Sequence, residues 1–307
     1  PGAVVQLMDL DEMEGSDRVT ALQGRLAEAG YIAERSLSAS LLLFTEMQRP
    51  LLLEGDAGVG KTEIAHVIAR VFDCPLIRLQ CYEGLDLNSA VYEWNYQHQL
   101  LSIKLLERDH VPLEHAEEAI FSKRFLLERP LLAAITQQQS PVLLIDEIDR
   151  ADEEFEAYLL ELLSDFQVSI PELGTITATS KPYVVITSNG TRELSDALRR
   201  RCFYHYVDYP EFDKELRIVR ARLPEVGLQL ARQVVAFVQD LRPMDLRKKP
   251  GVAETLDWAA ALFKLGVNSL DSEPQLLQDT LVCLLKTRED SARLEAFEIE
   301  RLVARAL

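Results

Sequence analysis

The sequence predicts an α/β fold with a parallel five-stranded sheet, followed by an all-α domain. Five short and mostly continuous apolar runs, Leu51–Glu54, Leu76–Gln80, Val142–Ile145, Tyr183–Thr187 and Tyr204–Val207, alternate with helix-like stretches. Such runs mark strands covered on both faces, and the alternation marks crossover helices between parallel strands. The first run breaks into Gly55-Asp56-Ala57-Gly58-Val59-Gly60-Lys61-Thr62, a complete G-x-x-x-x-G-K-[ST] pattern between a strand and an amphipathic helix. After Tyr209-Pro210 only helical patterning remains.

The chain has 307 residues, 48% of them hydrophobic and 27% charged, enough for one large or two ordinary globular domains. A net charge of −17 repels phosphate backbones, which disfavours nucleic acid as the main partner. The four cysteines form no C-x-x-C pair and fit a reducing cytoplasm. No apolar stretch approaches the ~18 residues of a membrane span, and the acidic start does not read as an export leader.

Residues 1–20 read as a mobile acidic lead-in, because no apolar period is sustained there. Helical patterning from Val19 to Met47 is broken at Ala29-Gly30-Tyr31-Ile32, which places Tyr31 and Ile32 as candidate contacts to a nucleotide base. Between the second and third strands lie about 61 residues, where a whole βαβ unit needs roughly 30. Period-two alternation over Val91–Tyr96 and Leu101–Leu105 fills that excess with a β-hairpin insertion at about 88–108. A second hairpin is expected at about 167–178, around Pro171-Glu172-Leu173-Gly174. The α/β domain is thus expected over 21–209, and the helical lid over 210–307 in five helices.

The glycine-rich stretch reads as a nucleotide phosphate cradle. Gly55, Gly58 and Gly60 let the backbone turn its N–H groups inward, while Asp56, Ala57 and Val59 complete the loop and Glu63 follows it. Lys61 reaches the β- and γ-phosphates, Thr62 offers a hydroxyl to Mg²⁺, and the helix start favours the anion. Asp146 and Glu147 close a buried strand, where an open α/β sheet places its ligands. Asp146 suits Mg²⁺ and Glu147 suits activation of water; the later acids, Asp149, Asp152, Glu153 and Glu154, read as an acidic helix start. Asn189 ends the next strand, within reach of water or γ-phosphate. Arg199-Arg200-Arg201 ends a helix, either complementing its dipole or serving a neighbouring subunit's γ-phosphate. The aromatics Tyr92, Trp94 and Tyr96 either grip a partner or pack on their own domain, and the five histidines form no H-E-x-x-H.

In this order, the cradle, the Asp146-Glu147 strand, the Ser188-Asn189 strand end, the arginine run and the helical lid resemble the AAA+ ATPases. The two hairpins resemble the MoxR group. Leu79-Gln80-Cys81-Tyr82-Glu83-Gly84, Val91-Tyr92-Glu93-Trp94-Asn95-Tyr96 and Leu163-Ser164-Asp165-Phe166-Gln167-Val168, with Gly30-Tyr31-Ile32-Ala33, are similar to its CoxD-type members. The resemblance implies ATP and Mg²⁺ as cofactors and a ring, expected as a hexamer, that hydrolyses ATP between subunits. It implies Asn189 as sensor 1, and Arg201, with Arg200 as the alternate, as the finger arginine. It also implies a von Willebrand factor A domain partner and a chaperone-like role in maturing a metalloenzyme, for the CoxD type a carbon monoxide dehydrogenase. The sensor-2 arginine of the family has no clear counterpart: Arg247, Lys248 and Lys249 stand just before the lid helix. Two rival readings are a DNA-remodelling AAA+ motor, for which Lys104 is the only basic residue in either hairpin, and a nucleotide-gated scaffold without hydrolysis.

Overall fold

The computed structural model describes residues 14–108, 120–294 and 296–307. In chain order its elements are α1 (Gly15–Glu28), α2 (Arg35–Met47), β1 (Leu51–Glu54), α3 (Lys61–Val71), β2 (Leu76–Gln80), α4 (Leu87–Ala90), β3 (Tyr92–Trp94) and α5 (Tyr96–Arg108). Then follow β4 (Leu126–Glu128), α6 (Pro130–Thr136), β5 (Val142–Asp146), α7 (Glu153–Asp165), β6 (Gln167–Ile170), β7 (Gly174–Thr177), β8 (Tyr183–Ser188), α8 (Asp196–Arg201) and β9 (Phe203–Tyr206). The remainder is helical: α9 (Phe212–Arg222), α10 (Leu228–Leu241), α11 (Val252–Lys264), α12 (Pro274–Thr280), α13 (Arg288–Arg293) and α14 (Ala296–Ala306).

The five predicted strands form one sheet in the order β2-β5-β8-β1-β9. The pairs β2–β5, β5–β8 and β1–β8 are parallel, with Leu79 opposite Ile145 and Ile145 opposite Ile186. Every residue of β5 is buried, as the unbroken apolar run requires. Because β1 has β8 on one side and β9 on the other, the chain changes direction of winding at β1, the switch point where such sheets place ligands.

Two expectations change. Residues 1–13 lie outside the described set, but the remainder of the predicted lead-in is helical from Gly15, since Val19, Leu22 and Leu26 bury one face of α1. The first hairpin is not formed within 88–108. β3 pairs antiparallel with β4, Glu93 opposite Leu127, and Leu101–Leu105 lies in helix α5. Asn95 explains the switch: its side chain accepts from the N–H of His98 (3.1 Å) and its carbonyl from the N–H of Gln99 (2.9 Å), so a helix starts where the second strand was expected. The period-two leucines are compatible with either state, and the Gln- and Leu-rich stretch has good helix propensity. Trp94 is buried against Phe121 at a ring separation of 5.4 Å, whereas Tyr96 is exposed on α5. At the second position, β6 and β7 do form a hairpin, with Val168 opposite Ile176.

Packing divides the chain into two units. The first contains the described residues up to Val19, then Ser36–Glu54 and Ile68–His205; the second contains Thr20–Arg35, Gly55–Val67 and Tyr206–Leu307. The second is therefore larger than the helical lid expected from 210 onward: it includes the glycine-rich loop and the Tyr31 turn. Its core gathers Phe237 and Trp258, at 4.9 Å between ring centroids, and leucines of α10, α11, α12 and α14. The first unit's core lies on β5 and β8, with α6 and α7 packed over it.

The β3–β4 register is testable. A Glu93→Cys/Leu127→Cys double variant is expected to form a 93–127 disulfide on mild oxidation, and a Glu93→Cys/Ile103→Cys variant is not; peptide mass mapping distinguishes them.

Candidate functional site

In the helical unit the loop after β1 is shaped by close backbone approaches. A Cβ on Gly55 would lie 2.1 Å from the carbonyl oxygen of Val207, so only glycine fits. Gly58 and Gly60 have φ of +82° and +94°, the left-handed region that side chains rarely adopt. The carbonyl of Gly58 accepts from the N–H of Val252 at 3.1 Å. Lys61 is buried, and its Nζ donates to the carbonyls of Gly55 and Asp56, both at 2.7 Å. Thr62 and Glu63 occupy the first turn of α3, and Glu63 pairs with Arg222 at 2.7 Å.

Tyr31 and Ile32 follow the left-handed Gly30 and are half-buried. Burial, with the Glu34 and Glu63 carboxylates adding to it, pushes the Tyr31 hydroxyl well above its ordinary value. A pocket of about 420 Å³ is lined by Asp56, Ala57, Gly58, Tyr209 and the basic side chains of Arg247, Lys248, Lys249 and Lys286. Asp290 anchors that basic segment by accepting from the N–H groups of Arg247 (2.8 Å) and Lys248 (3.2 Å). Lys286 was not singled out in the sequence, being distant and without a motif.

In the α/β unit Asp146 is buried at the end of β5. The Thr187 hydroxyl donates to its Oδ1 at 2.5 Å, and Arg78 donates to its Oδ2 at 3.1 Å from Nε and 2.5 Å from Nη2. Glu147 is left-handed, with φ +55°. Its N–H donates to the Thr187 hydroxyl (2.9 Å), while its Oε2 accepts from Gln80 Nε2 and Arg150 Nη1, both at 3.1 Å. Arg78 also donates to the amide oxygen of Gln80, so one network joins both carboxylates. Thr187, Arg78 and Gln80 escaped the sequence reading. The signal was available for Gln80: it ends β2 directly opposite Asp146, so two neighbouring strands turn polar at the same edge.

Asn189 follows β8, and its N–H donates to Asp149 Oδ1 at 3.2 Å. Asp149 Oδ2 also accepts from the N–H (3.0 Å) and hydroxyl (2.6 Å) of Thr191. Read in the sequence as part of an acidic helix start, Asp149 instead fixes the turn that carries Asn189. Burial works to raise the Asp149 carboxyl, but the hydrogen bonds from Thr191 and Asn189 outweigh it and hold the group below the ordinary carboxylate value.

The three arginines separate. Arg199 pairs with Glu54 at 2.8 Å, which removes it from the candidates. Arg201 Nε donates to the Ser164 hydroxyl at 3.2 Å, and Arg200 is exposed. Arg49 caps α8 from outside, donating to the carbonyls of Arg200 (2.8 Å) and Arg201 (3.3 Å) while stacking 4.8 Å over Phe203.

The four cysteines are free. Burial raises every thiol, Cys74 to about 11 and both Cys81 and Cys202 to about 12, so none is a ready nucleophile. Among the described residues no group of three or more His, Cys, Asp or Glu can hold a metal, and no helix is long and apolar enough to cross a membrane.

Residues 50–202 match the family model described as AAA domain, dynein-related subfamily, which supports a nucleotide-binding domain of the AAA+ ATPase type over that stretch. An uncharacterized protein of Staphylococcus epidermidis is 26% identical over 263 residues, covering 83% of this chain and 91% of its own. Another, from Staphylococcus aureus, is 25% identical over 231 residues, covering 72% of this chain and 78% of its own. Among solved structures, a mutant of RuvB from Thermogota maritima aligns over 93% of this chain and 74% of that one, with a TM-score of 0.44 and 19% identity.

Asp149→Asn tests the turn under Asn189. A carboxyl held below its unfolded value stabilises the fold above that value and loses the contribution as pH falls through the folded one. The variant is expected to lose about 1–3 kcal/mol at neutral pH. Its deficit should narrow below about pH 4, where the unfolded carboxyl protonates. Urea unfolding across pH 3–7 measures both; a pH-independent deficit would contradict the assignment.

Proposed function

We propose that this protein is a Mg²⁺-dependent ATPase of the AAA+ class that acts as a ring, expected as a hexamer, and remodels a protein client. The observation that carries the reading is the carboxylate pair at the end of β5. Asp146 is buried and doubly bonded, while Glu147 sits beside it on a left-handed residue, in a chain that also bears the complete Gly55–Thr62 loop.

In this reading the loop N–H groups and Lys61 bind the phosphates, with Tyr31 and Ile32 at the base and Glu63 in the first turn behind them. Mg²⁺ keeps several waters and takes few carboxylates, so in this reading Asp146 and the Thr62 hydroxyl, both hard oxygens, would hold it. The ion would neutralise charge on the phosphate oxygens. Glu147 accepts a proton from the attacking water, and Asn189 orients that water. Arg201, or its neighbour Arg200, serves the adjoining subunit's γ-phosphate, so turnover requires assembly. Arg247, Lys248 and Lys249, lining the pocket beside the loop, are the candidates for a sensor-2 role. The MoxR and CoxD-type resemblance supports a partner with a von Willebrand factor A domain and a metalloenzyme client, with cytoplasmic action. The DNA-motor reading is weakened because Lys104 belongs to α5 and β6–β7 has no basic residue.

Glu147→Gln should retain ATP binding and lose about 10²-fold or more in turnover, since a positioned base contributes roughly that factor. Arg201→Ala should bind ATP normally and lose about 10³-fold, with Arg200→Ala as the parallel test of the alternate. Steady-state hydrolysis with fluorescent-nucleotide binding decides each role; near-wild-type turnover in Glu147→Gln would remove Glu147 from the mechanism, and single-turnover hydrolysis by wild type excludes the scaffold reading.

A further inference from the structure

We infer that Gly251 and Tyr209 are positioning residues for the phosphate loop, tethering it to a buried ion pair, Arg242–Glu215, in the helical unit. This rests on the loop being the phosphate cradle, and it assigns residues far along the chain that no motif marks.

The anchor is built for geometry. Glu215 is fully buried and Arg242 nearly so. Arg242 donates in a fork to Glu215, at 2.6 Å to Oε2 and 2.5 Å to Oε1. The remaining capacity of Glu215 is taken by the Thr255 hydroxyl (2.7 Å) and the Gln239 amide (2.7 Å). A buried pair of this kind gains little net stability over apolar packing, but fully bonded it permits only one arrangement.

Two arms run from it to the loop. In the first, Arg242 Nε donates to the carbonyl of Pro250 at 2.9 Å, fixing the residue before Gly251. Gly251 touches the loop so closely that a Cβ there would lie 2.5 Å from the oxygen, 2.7 Å from the Cα and 2.8 Å from the carbonyl carbon of Gly58. The Glu254 side chain accepts from the Gly251 N–H at 2.9 Å, and the next N–H, of Val252, holds the Gly58 carbonyl. A trans peptide is planar, so its C=O and N–H point in opposite directions. Drawing the Gly58 carbonyl toward Val252 therefore turns the Val59 N–H the opposite way, available to an anion. In the second arm, the Arg242 guanidinium lies 4.9 Å over the Tyr209 ring, and Tyr209 shares the pocket wall with Asp56, where burial and then the Asp56 carboxylate push its hydroxyl up to about 12. The pair thus reaches the loop at Asp56 and at Gly58.

Gly251→Ala and Tyr209→Phe test the tethers. Gly227→Ala is the control, since a Cβ there meets nothing within 4 Å. Two readouts are taken: hydrogen exchange of the amides in 55–62 without nucleotide, and binding of a fluorescent ATP analogue. Gly251→Ala is expected to speed exchange in that segment alone and to weaken binding about tenfold or more, the equivalent of one charge-assisted hydrogen bond. Tyr209→Phe should give a smaller change in the same direction, and Gly227→Ala none. Wild-type exchange and affinity in both variants would overturn the inference; faster exchange throughout the protein would reduce the contact to general packing and overturn it equally. If Gly251→Ala does not fold, Tyr209→Phe decides. If the wild type binds no ATP, the ATPase reading fails, and local exchange still decides whether the tether exists.

Discussion

The parallel ladder of β5 between β2 and β8 is the constraint on which the α/β unit depends. β5 is buried along its whole length, so a slip that drew Asp146 further into the sheet would put its carboxylate among apolar side chains. With Gln80 opposite Asp146 and Ile145 opposite Ile186, the polar ends of three strands arrive at one edge together. Arg78, Gln80, Thr187 and the two carboxylates bond to one another because the ladder leaves them there. Beyond the ladder, the cluster needs only the left-handed turn at Glu147.

Charge is handled in the same economical way. In a chain of net charge −17, several arginines are held in internal pairs: Arg78 with Asp146, Arg192 with Glu156, Arg199 with Glu54 and Arg242 with Glu215. Glu156, buried under the turn after β8, also accepts from the Ser195 N–H at 3.0 Å and so fixes the start of α8. Cations held this way act as structural pins rather than as a basic surface, in keeping with the poor match to a polyanion.

Much of the sheet was legible because buried parallel strands write long apolar runs, and the phosphate loop because glycine is demanded at fixed spacing. The first hairpin was misread because Leu101, Ile103 and Leu105 satisfy period two, while the deciding feature was one Asn95 capping bond. The extent of the second unit was hidden for another reason. Its link to the loop is a contact between two glycines, Gly58 and Gly251, and an absent side chain leaves no pattern to detect. Asp149 and Thr187 were likewise invisible, since a single polar residue announces a partner only when both have been brought together in space.

The left-handed backbone at Glu147 has a further consequence. Alternate residues of a strand face opposite sides, so two adjacent carboxylates would ordinarily be divided by the sheet. The reversal of φ at the second of them suspends that rule, and Gln80 can bond Glu147 while its neighbour Arg78 bonds Asp146. The conformation costs a side chain about 1–2 kcal/mol and excludes β-branched residues most strongly. A valine, isoleucine or threonine placed at 147 would therefore carry a backbone cost of its own, separate from the loss of the carboxylate.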